Sequence, residues 1–257
     1  MRIAIAGAGT TGLSCAHILI DSGIPPTSIT IIDARAEIGS PAHKPGLLND
    51  ADTWISQLTS WGMTNQAFTN PIDTNTIGLR REWLEKSISL GLAERGAHIF
   101  VKTRIISSDS NNSSCRLICT DVGGLLDGKW EGDLIIDALG QPPAALNENT
   151  EHGVLQPVSD SHRISIDRTA DRVNLEWMGA ITSKRMETES PYVFMRGDGT
   201  WESWEQGTDV IQNYILEEFI GNFSDFNYAC IDISLTRGST LAQAALTHLN
   251  VKDNAKE

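Results

Sequence analysis

The chain has 257 residues, of which 40% are hydrophobic, and it carries a formal net charge of −13 at pH 7. This length and apolar share allow a sizeable core in one large domain or two small ones. The negative charge excludes an extended nucleic-acid-binding surface, which needs lysine and arginine to neutralise phosphates. It also excludes anchoring on anionic lipid by charge.

The cysteines and histidines form no metal or disulfide pattern in the sequence. The four cysteines contain no CxxC pair, and the six histidines are scattered without the spacing of a metal site. These features predict a reduced, cytoplasmic protein without a bound metal. We expect no integral membrane segment, because the sequence has no apolar run of about 18 residues or more. Three early glycines also interrupt the first apolar run too soon for a secretory signal.

The N-terminal residues predict a β-α-β unit. A buried strand over residues 2–6 precedes a helix from Thr11 to about Ser22, and a second strand follows over residues 28–33. A helical connection of this kind makes the two strands parallel. We therefore expect the N-terminus to form part of a parallel sheet.

A phosphate-binding loop is predicted between the first strand and the helix, where Gly7, Gly9 and Gly12 have the GxGxxG spacing. The first glycine allows a sharp turn, the second allows close approach of a pyrophosphate, and the third allows the helix to pack near the sheet. The helix N-terminus adds amide donors and the positive end of its dipole. Asp33 can then accept hydrogen bonds from both hydroxyls of an adenosine ribose. The motif predicts FAD or NAD rather than NADP, and a glycine turn without a ligand is the alternative.

The rest of the chain predicts alternating strands and helices. In the first half we expect, in chain order, a loop (37–50), helices (53–61 and 81–96), strands (98–105 and 115–122) around a polar turn (107–114), and a buried strand (132–140). In the second half we expect antiparallel strands (164–181), a hairpin around residues 197–199, a helix (209–223), a strand (227–234), and a closing helix reached through a glycine turn (234–249).

Several of these segments resemble one class of flavoproteins. The sequence IIDARAEIGSPAHKPGLL at residues 31–48 resembles the segment after the second strand in the geranylgeranyl reductase family, whose wider class includes the aromatic hydroxylases of the hydroxybenzoate type. The arginine-led helix at 81–96, the strand GDLIIDALG and the C-terminal segment CIDISLTRGSTLAQAALTHL are similar to later segments of that class. The resemblance implies an extended FAD rather than NAD.

The resemblance also implies positions for individual residues. Arg35 would lie near the adenosine, Arg81 would contact the cofactor phosphate or ribityl chain, and Asp232 would hold ribityl hydroxyls. Gly238 and Ser239 would present amides to the flavin N1/C2=O from the N-terminus of the last helix. Together, the motif and the resemblance predict a cofactor site formed by Gly7, Gly9, Thr10, Thr11, Gly12, Asp33, Ala34, Arg35, Arg81, Gly140, Asp232, Gly238 and Ser239.

Two departures from the family pattern bear on the type of reaction. Ile231 stands where the last motif has glycine, and Leu139 stands where many hydroxylases have an aspartate associated with FAD and NADPH. The second departure favours a reductase of the geranylgeranyl reductase type, which passes hydride through the flavin. A flavin monooxygenase, an NAD-dependent dehydrogenase and a degenerate nucleotide-binding partner subunit remain as alternatives. The electron donor would be NADH or NADPH.

The predicted fold class is α/β, with a Rossmann-like FAD-binding parallel sheet and a small antiparallel β subdomain that covers the substrate. We assign residues 1–140 and 226–257 to the FAD-binding domain and residues 141–225 to the substrate-covering domain. A small-molecule substrate is expected, and a partner protein or a homodimer remains open. Candidates for the pocket lining are Trp177, Tyr192, Phe194, Trp201 and Trp204, and loop candidates near the flavin are His43 and Lys44.

Overall fold

The computed structural model describes residues 1–40, 43–63, 69–120, 123–139, 155, 158–165, 175–188, 190–207 and 215–254. Its helices are α1 (Thr10–Asp21), α2 (Ala51–Ser60), α3 (Arg81–Glu94), α4 (Phe226–Ala229) and α5 (Ile231–Asn254). Its first strands are β1 (Ile3–Ala6), β2 (Ile29–Ile32), β3 (Leu47–Leu48), β4 (Thr69–Pro71), β5 (Ile77–Leu79), β6 (His98–Phe100), β7 (Arg104–Ser110) and β8 (Cys115–Thr120). The others are β9 (Lys129–Gly132), β10 (Leu134–Asp137), β11 (Arg163–Ser165), β12 (Leu175–Thr182), β13 (Val193–Met195), β14 (Trp201–Gln206) and β15 (Ile215–Phe223).

The chain folds into two compact units, and neither is one continuous segment. The first contains Met1–Ile38, Ser89–Ile166 and Leu235–Glu257, and the second contains Gly39–Ile88 and Asp167–Ser234. The sequence assignment differs from this division in three places. Residues 226–234 belong to the second unit, residues 158–165 belong to the first, and residues 39–88 belong to the same unit as the four-stranded antiparallel sheet. Residues 39–88 contribute a small antiparallel sheet of their own, β3-β5-β4, which explains why they do not extend the parallel sheet.

The first unit is built on a five-stranded parallel sheet in the order β11-β10-β1-β2-β6. All four residues of β1 are buried, as expected for a parallel strand that is covered on both faces. Ala4 and Ala6 pack in the same cluster as Trp130 and Leu117 of the three-stranded sheet β7-β8-β9. The small alanine side chains on this face leave room for the larger ones of the second sheet. The predicted α/β fold with a parallel sheet and separate antiparallel sheets is confirmed.

The second unit contains a four-stranded antiparallel sheet in the order β13-β14-β12-β15. Trp204 is fully buried and packs against Phe219 and Phe223, while Trp177 stacks on Phe223 at 5.1 Å between ring centroids. The predicted hairpin around residues 197–199 is confirmed, because Arg196 N donates to Thr200 O over 2.8 Å between β13 and β14.

The prediction of a helix over residues 209–223 is wrong for residues 215–223, and residues 209–214 lie outside the described part of the chain. Residues Ile215–Phe223 form β15, which pairs antiparallel with β12. The apolar residues of this stretch fit a period of either two or 3.6, so tertiary context decides between them. In the sheet, Phe219 and Phe223 both reach Trp204, which secures the strand.

The prediction of a strand over residues 227–234 is also wrong. Helix α4 and the first turn of α5 occupy this segment, and α5 begins at Ile231 rather than after a glycine turn. Asp225 caps α4 by accepting a 2.8 Å hydrogen bond from Asn227 N. Asp232 lies in the first turn of α5, where a carboxylate interacts favourably with the helix dipole.

Two shorter predictions also need correction. The polar turn predicted over residues 107–114 is restricted to residues after Ser110, where the Asn111 side chain accepts hydrogen bonds from the amides of Ser113 and Ser114. The first part of that stretch is β7, which reaches its pairing partner β8 despite its serines. The start of the predicted antiparallel region, β11, instead pairs parallel with β10 and completes the main sheet.

Candidate cofactor-binding site

The turn after β1 requires glycine at its first position. Gly7 has φ +105°, a left-handed conformation that side chains disfavour, and its amide donates to Ile32 O over 2.8 Å. A Cβ at Gly7 would lie 2.6 Å from Ala138 O. The chain therefore turns sharply against the end of β10, as the motif predicts.

Helix α1 starts directly against this turn. Gly9 is its N-cap, and Leu13 N donates to Gly9 O over 3.0 Å. A Cβ at Gly12 would overlap the carbonyl oxygen of Gly7, so only glycine allows the helix to start this close to β1. The first turn holds Thr10 and Thr11. The N-terminus of a helix presents amide groups and the positive end of the dipole, which suits a phosphate.

Asp33 connects the glycine loop to the end of β2. Its Oδ2 accepts a 2.7 Å hydrogen bond from Ala8 N, and its Oδ1 accepts a 2.8 Å bond from Arg35 N. The Arg35 side chain adds two more, from Nε to Oδ1 at 3.0 Å and from Nη2 to Oδ2 at 3.1 Å. Burial opposes ionisation, but the hydrogen bonds and charge of Arg35 and the Ala8 amide outweigh it. The pKa of Asp33 is thus lowered from its usual value, and the carboxylate is charged at neutral pH.

The turn that carries Asp33 is held from one side by residues 100–103. Asp33 N donates to Phe100 O, Thr103 N donates to Asp33 O, and Lys102 N donates to Arg35 O, at 2.7 to 2.9 Å. Ala34 lies between the two charged residues in this turn. The backbone of residues 33–35 is therefore fixed independently of the Arg35 side chain.

Arg81 lies in the second unit and binds protein groups there. Its guanidinium donates to Pro45 O at 3.2 Å, Ala229 O at 2.8 Å and Ser234 Oγ at 2.9 Å, and it pairs with Glu85 at 3.4 Å. Only 6% of the residue is exposed. An arginine has five N–H donors, so most of them are engaged within the unit. The contact with a cofactor phosphate stays a prediction.

Asp232 likewise has a local partner, since its Oδ1 accepts a 3.1 Å hydrogen bond from Asn49 N in the second unit. Its contact with the ribityl chain stays a prediction. Gly140 lies outside the described residues. Just before it, Leu139 N donates to the Asp137 side chain at 3.2 Å, and Ala138 N donates to Ala6 O at 3.0 Å.

The predicted placement of Gly238 and Ser239 at a helix N-terminus is wrong. Both lie inside α5, beyond its first turn, where backbone amides are engaged in the helix's own hydrogen bonds. Gly238 instead lets α5 pack against α1, because a Cβ there would overlap Ser14 Oγ and lie 2.6 Å from Thr11 O. The sequence signal of a glycine before an alanine-rich helix therefore marks a helix–helix contact.

Sequence reasoning missed the backbone contributions to this site. The Ala8 amide on Asp33 and the Ala138 carbonyl against Gly7 both come from residues without functional side chains. Arg163 was also missed, and its Nη2 lies 4.0 Å from Asp137 Oδ2 at the end of β10. Pairing between β10 and β11 brings these two residues together, and no local sequence signal indicates it.

The second unit contains an open groove of about 620 Å³. Of the five aromatic residues predicted to line a pocket, three do so here: Trp177, Tyr192 and Trp204. The rest of the lining is Pro191 and four polar residues, Thr188, Ser190, Glu205 and Gln206. Trp177 and Trp204 also belong to the buried aromatic core, as does Phe194, which does not line the groove. Trp201 stacks under the Arg185 guanidinium at 5.5 Å.

A buried carboxyl group lies on the same sheet. Glu202 Oε1 accepts hydrogen bonds from Gly46 N at 2.9 Å and Trp204 Nε1 at 2.7 Å, and its Oε2 lies 3.8 Å from Arg196 Nε. Burial raises the pKa of Glu202 to about 7, against the opposing effects of Arg196 and the two hydrogen bonds. Two loop candidates lie a few residues before Gly46 in the sequence. His43 Nδ1 contacts Ile220 O at 3.1 Å, and Lys44 is half-buried.

Among the described residues, no group of three or more histidine, cysteine, aspartate or glutamate side chains could hold a metal ion. In the same part of the chain, no helix is long and apolar enough to cross a membrane.

No protein-family model matches the sequence, and no curated protein is significantly similar to it. Solved structures do match. A geranylgeranyl bacteriochlorophyll reductase-like protein from Thermoplasma acidophilum is 12% identical with a TM-score of 0.61, over 98% of this chain and 79% of that chain. A flavoprotein/dehydrogenase from Cytophaga hutchinsonii is 11% identical with a TM-score of 0.63, over 97% and 79%. Aklavinone-11 hydroxylase, in a ternary complex with FAD and aklavinone, is 10% identical with a TM-score of 0.63, over 97% and 62%. The predicted resemblance is confirmed at the level of the fold, and the chain has the fold shared by these flavoprotein reductases, dehydrogenases and hydroxylases.

Proposed function

We propose that the protein is an FAD-dependent oxidoreductase that holds the ADP half of the cofactor at the β1-α1-β2 turn. The observation that carries this proposal is the Asp33 carboxylate, fixed 2.7 Å from Ala8 N inside the glycine loop. A charged acceptor at the end of β2 suits the ribose diol, and the N-terminus of α1 suits the pyrophosphate. Bound FAD would supply the hydride transfer.

The residues of the first unit fit this half of the cofactor sterically. A side chain at Gly7 or Gly12 would meet backbone atoms of the fold itself, so the glycines keep the loop close to the sheet. This close packing of the turn against the sheet is the arrangement that the GxGxxG motif uses to bring a helix N-terminus to a pyrophosphate.

The predicted contacts to the flavin half of the cofactor do not have the same support from the structure. Helix α5 is continuous through Gly238, so its N-terminus cannot supply amides to the flavin N1/C2=O from that position. We assign no step to those residues. Within the class, the reductase type acting on a small molecule is our proposal, with NADH or NADPH as electron donor. The replacement of the hydroxylase acid by Leu139 supports it over the monooxygenase type.

The aromatic groove of the second unit supports a substrate with an apolar or aromatic part. Tyr192 is the partly exposed ring of this lining, because Trp177 is only 6% exposed and Trp204 is fully buried, and the Ser190 and Thr188 hydroxyls lie beside it. Ser190 Oγ donates to Trp204 O at 2.6 Å, and Thr188 Oγ1 donates to the Glu205 carboxylate. A few fixed polar groups in an apolar lining are typical of small-molecule sites.

The proposal is tested by the absorbance spectrum of the purified protein, followed by anaerobic addition of NADH, NADPH and dithionite. Flavin absorbance that is lost on addition of either nicotinamide donor is expected and identifies that donor. A colourless protein that cannot be reconstituted with FAD contradicts the proposal.

One alternative is favoured by a specific observation. The continuous helix α5 leaves the flavin end without its expected amides, as in a nucleotide-binding subunit that does no redox chemistry. That alternative predicts bound FAD or ADP with no reduction by either donor, although dithionite would still bleach a bound flavin.

A further inference from the structure

We propose that Glu82, Arg196 and Glu202 form a proton-dependent bridge inside the second unit. While Glu202 carries a proton, the Arg196 guanidinium is bonded to Glu82 alone. When Glu202 loses that proton to solvent, Arg196 bonds to both carboxylates and ties helix α3 to strand β14. The same event strengthens the hold of Glu202 on the loop that contains Gly46. This inference involves no ligand, so it does not depend on the proposed function.

The two oxygens of the Glu202 carboxyl group have different surroundings. Oε1 accepts both hydrogen bonds, from Gly46 N at 2.9 Å and from Trp204 Nε1 at 2.7 Å. Oε2 lies 3.8 Å from Arg196 Nε, which is too long for a hydrogen bond, although the two side chains are only 4% and 1% exposed. Oε2 is therefore the oxygen that is free to carry a proton. An O–H group beside an N–H group makes no hydrogen bond, which accounts for the separation.

Arg196 has an unmet hydrogen bond at the same place. Its Nη2 donates to Glu82 Oε1 at 2.6 Å, and Arg80 Nε donates to the same oxygen at 2.6 Å. Arg80 also pairs with Asp198 at 3.4 Å. Arg196 Nε is buried and has no hydrogen-bond partner among the described residues, which is unfavourable for a donor. An ionised Glu202 Oε2 would give it an acceptor after a small movement of the two side chains.

The charged and titratable groups around Glu202 place the loss of its proton near neutral pH. Burial raises the pKa of Glu202 to about 7, and the nearby Glu82 carboxylate also raises it, whereas Arg196 and the two hydrogen bonds lower it. The Cys230 thiol, which precedes α5, lies within electrostatic reach of Glu202. Burial raises the pKa of Cys230 to about 12, so the thiol stays neutral when Glu202 titrates.

Loss of the proton also affects what Glu202 holds through Oε1. A charged acceptor binds N–H groups more strongly than a neutral one. The Gly46 amide belongs to the loop before β3, whose Pro45 carbonyl accepts from Arg81 at 3.2 Å and whose Gly46 carbonyl accepts from Leu79 N at 2.8 Å. Trp204 lines the groove of the second unit. Stronger local bonds offset only part of the cost of burying the charge, so the protein as a whole is less stable with Glu202 ionised.

The experiment follows the full-length protein by proton–nitrogen NMR between pH 5 and pH 9. We expect the Gly46 amide and Trp204 Nε1–H signals to move downfield together, with a midpoint near pH 7. The Arg196 Nε–H signal should move downfield through the same midpoint, because it gains its acceptor there. Trp204→Phe and Arg196→Lys assign the two side-chain signals. The Trp177 Nε1–H signal is the internal control and should not move, since it donates to Phe223 O at 3.1 Å in the same sheet.

Three variants test the assignment to these carboxylates. Glu202→Gln can still accept from Gly46 N and Trp204 Nε1 but cannot ionise, so all three transitions should disappear. Glu82→Gln removes the carboxylate that competes for Arg196, and it should lower the midpoint. Glu205→Gln is the matched control, because it removes another carboxylate of β14 and should leave the midpoint unchanged.

Other outcomes overturn the proposal. If the Trp204 signal titrates and the Arg196 Nε–H signal does not, the charge on Glu202 is compensated without the bridge. The bridge is also wrong if no signal titrates between pH 5 and pH 9, or if Glu82→Gln raises the midpoint. If Glu82→Gln does not fold, the comparison of wild type with Glu202→Gln decides, because transitions that persist in Glu202→Gln belong to another group.

Discussion

At the scale of single residues, the candidate site depends on groups whose backbone positions leave little freedom. Gly7 has both a left-handed φ and a neighbouring carbonyl oxygen, whereas Gly23 has φ +96° with nothing near its Cβ position. A side chain at Gly23 would cause conformational strain alone, whereas a side chain at Gly7 would cause both strain and steric overlap. Asp33 and Glu202 are both buried carboxyl groups, and the groups around each one set its pKa. That pKa is lowered for Asp33 and raised for Glu202.

Replacement of Gly7 by alanine should destabilise the protein more than replacement of Gly23. Both changes impose strain at positive φ, of order 1–2 kcal/mol. Gly7→Ala also places a methyl group 2.6 Å from Ala138 O, which is backbone and cannot rotate away. Urea unfolding of the two variants measures the difference, and Gly7→Ala should also weaken ADP binding. Equal losses of stability would show that the contact with Ala138 is unimportant.

Glu202 should make stability fall as the pH rises through neutrality. Its pKa in the folded protein is about 7, above the usual value of 4.5, so the folded state binds more protons than the unfolded state between these values. The stabilising contribution is complete below pH 4.5 and is lost as the pH rises through 7, by roughly 3 kcal/mol in all.

Glu202→Gln tests this assignment, because glutamine can still accept from Gly46 N and Trp204 Nε1 but cannot ionise. The difference in unfolding free energy between wild type and variant should change between pH 5 and pH 8, in favour of the variant at high pH. Urea unfolding at several pH values measures it. A difference that is constant with pH would mean that Glu202 titrates in its ordinary range.

At the scale of elements, short-range signals predicted the β1-α1-β2 unit, because its strand, glycine turn, helix and acid are adjacent in the sequence. Elements whose identity depends on distant partners were predicted poorly. Strand β15 needs β12 and Trp204, and α5 starts early because its N-terminal residues lie next to Asn49 and Arg81. The Asp33 half of the site could therefore be predicted, whereas the Gly238 half could not.

Gly238→Ala tests the contact between α5 and α1, because helix propensity and packing predict opposite signs. Alanine in a helix interior is favoured over glycine by about 1 kcal/mol. The new methyl group would overlap Ser14 Oγ and lie 2.6 Å from Thr11 O. Since a backbone oxygen cannot move without shifting α1, we expect a net loss of stability, measured by urea unfolding.

The matched change on the exposed side of the same helix is Ala244→Gly, which should cost about 1 kcal/mol through propensity alone. A Gly238→Ala variant that is more stable than the wild type would contradict the close approach of the two helices. If the loss of stability is smaller when Gly238→Ala is combined with Ser14→Ala, the difference is the part due to the Ser14 hydroxyl. The remainder is due to the contact with Thr11.

At the scale of the whole molecule, the two compact units are formed by interleaved segments. Their boundaries at residues 88/89 and 234/235 fall inside α3 and α5, so no single cut of the chain separates them. The candidate ADP-binding turn is contained in the first unit, and the aromatic groove is contained in the second. For a variant in one of these sites, ligand binding at the other site can therefore be measured as an internal control.

The net charge of −13 should make the stability of the whole molecule depend on salt. Charges of one sign repel each other in the compact state, and added salt screens them. Raising KCl from 10 to 200 mM at pH 8 should increase the free energy of unfolding by on the order of 1 kcal/mol, most of it at the lowest salt, where the screening length changes most. The control is the same titration at pH 5, close to the isoelectric point of about 4.8, where little net charge remains. A similar increase at both pH values would assign the effect to salt acting on apolar surface rather than on charge repulsion.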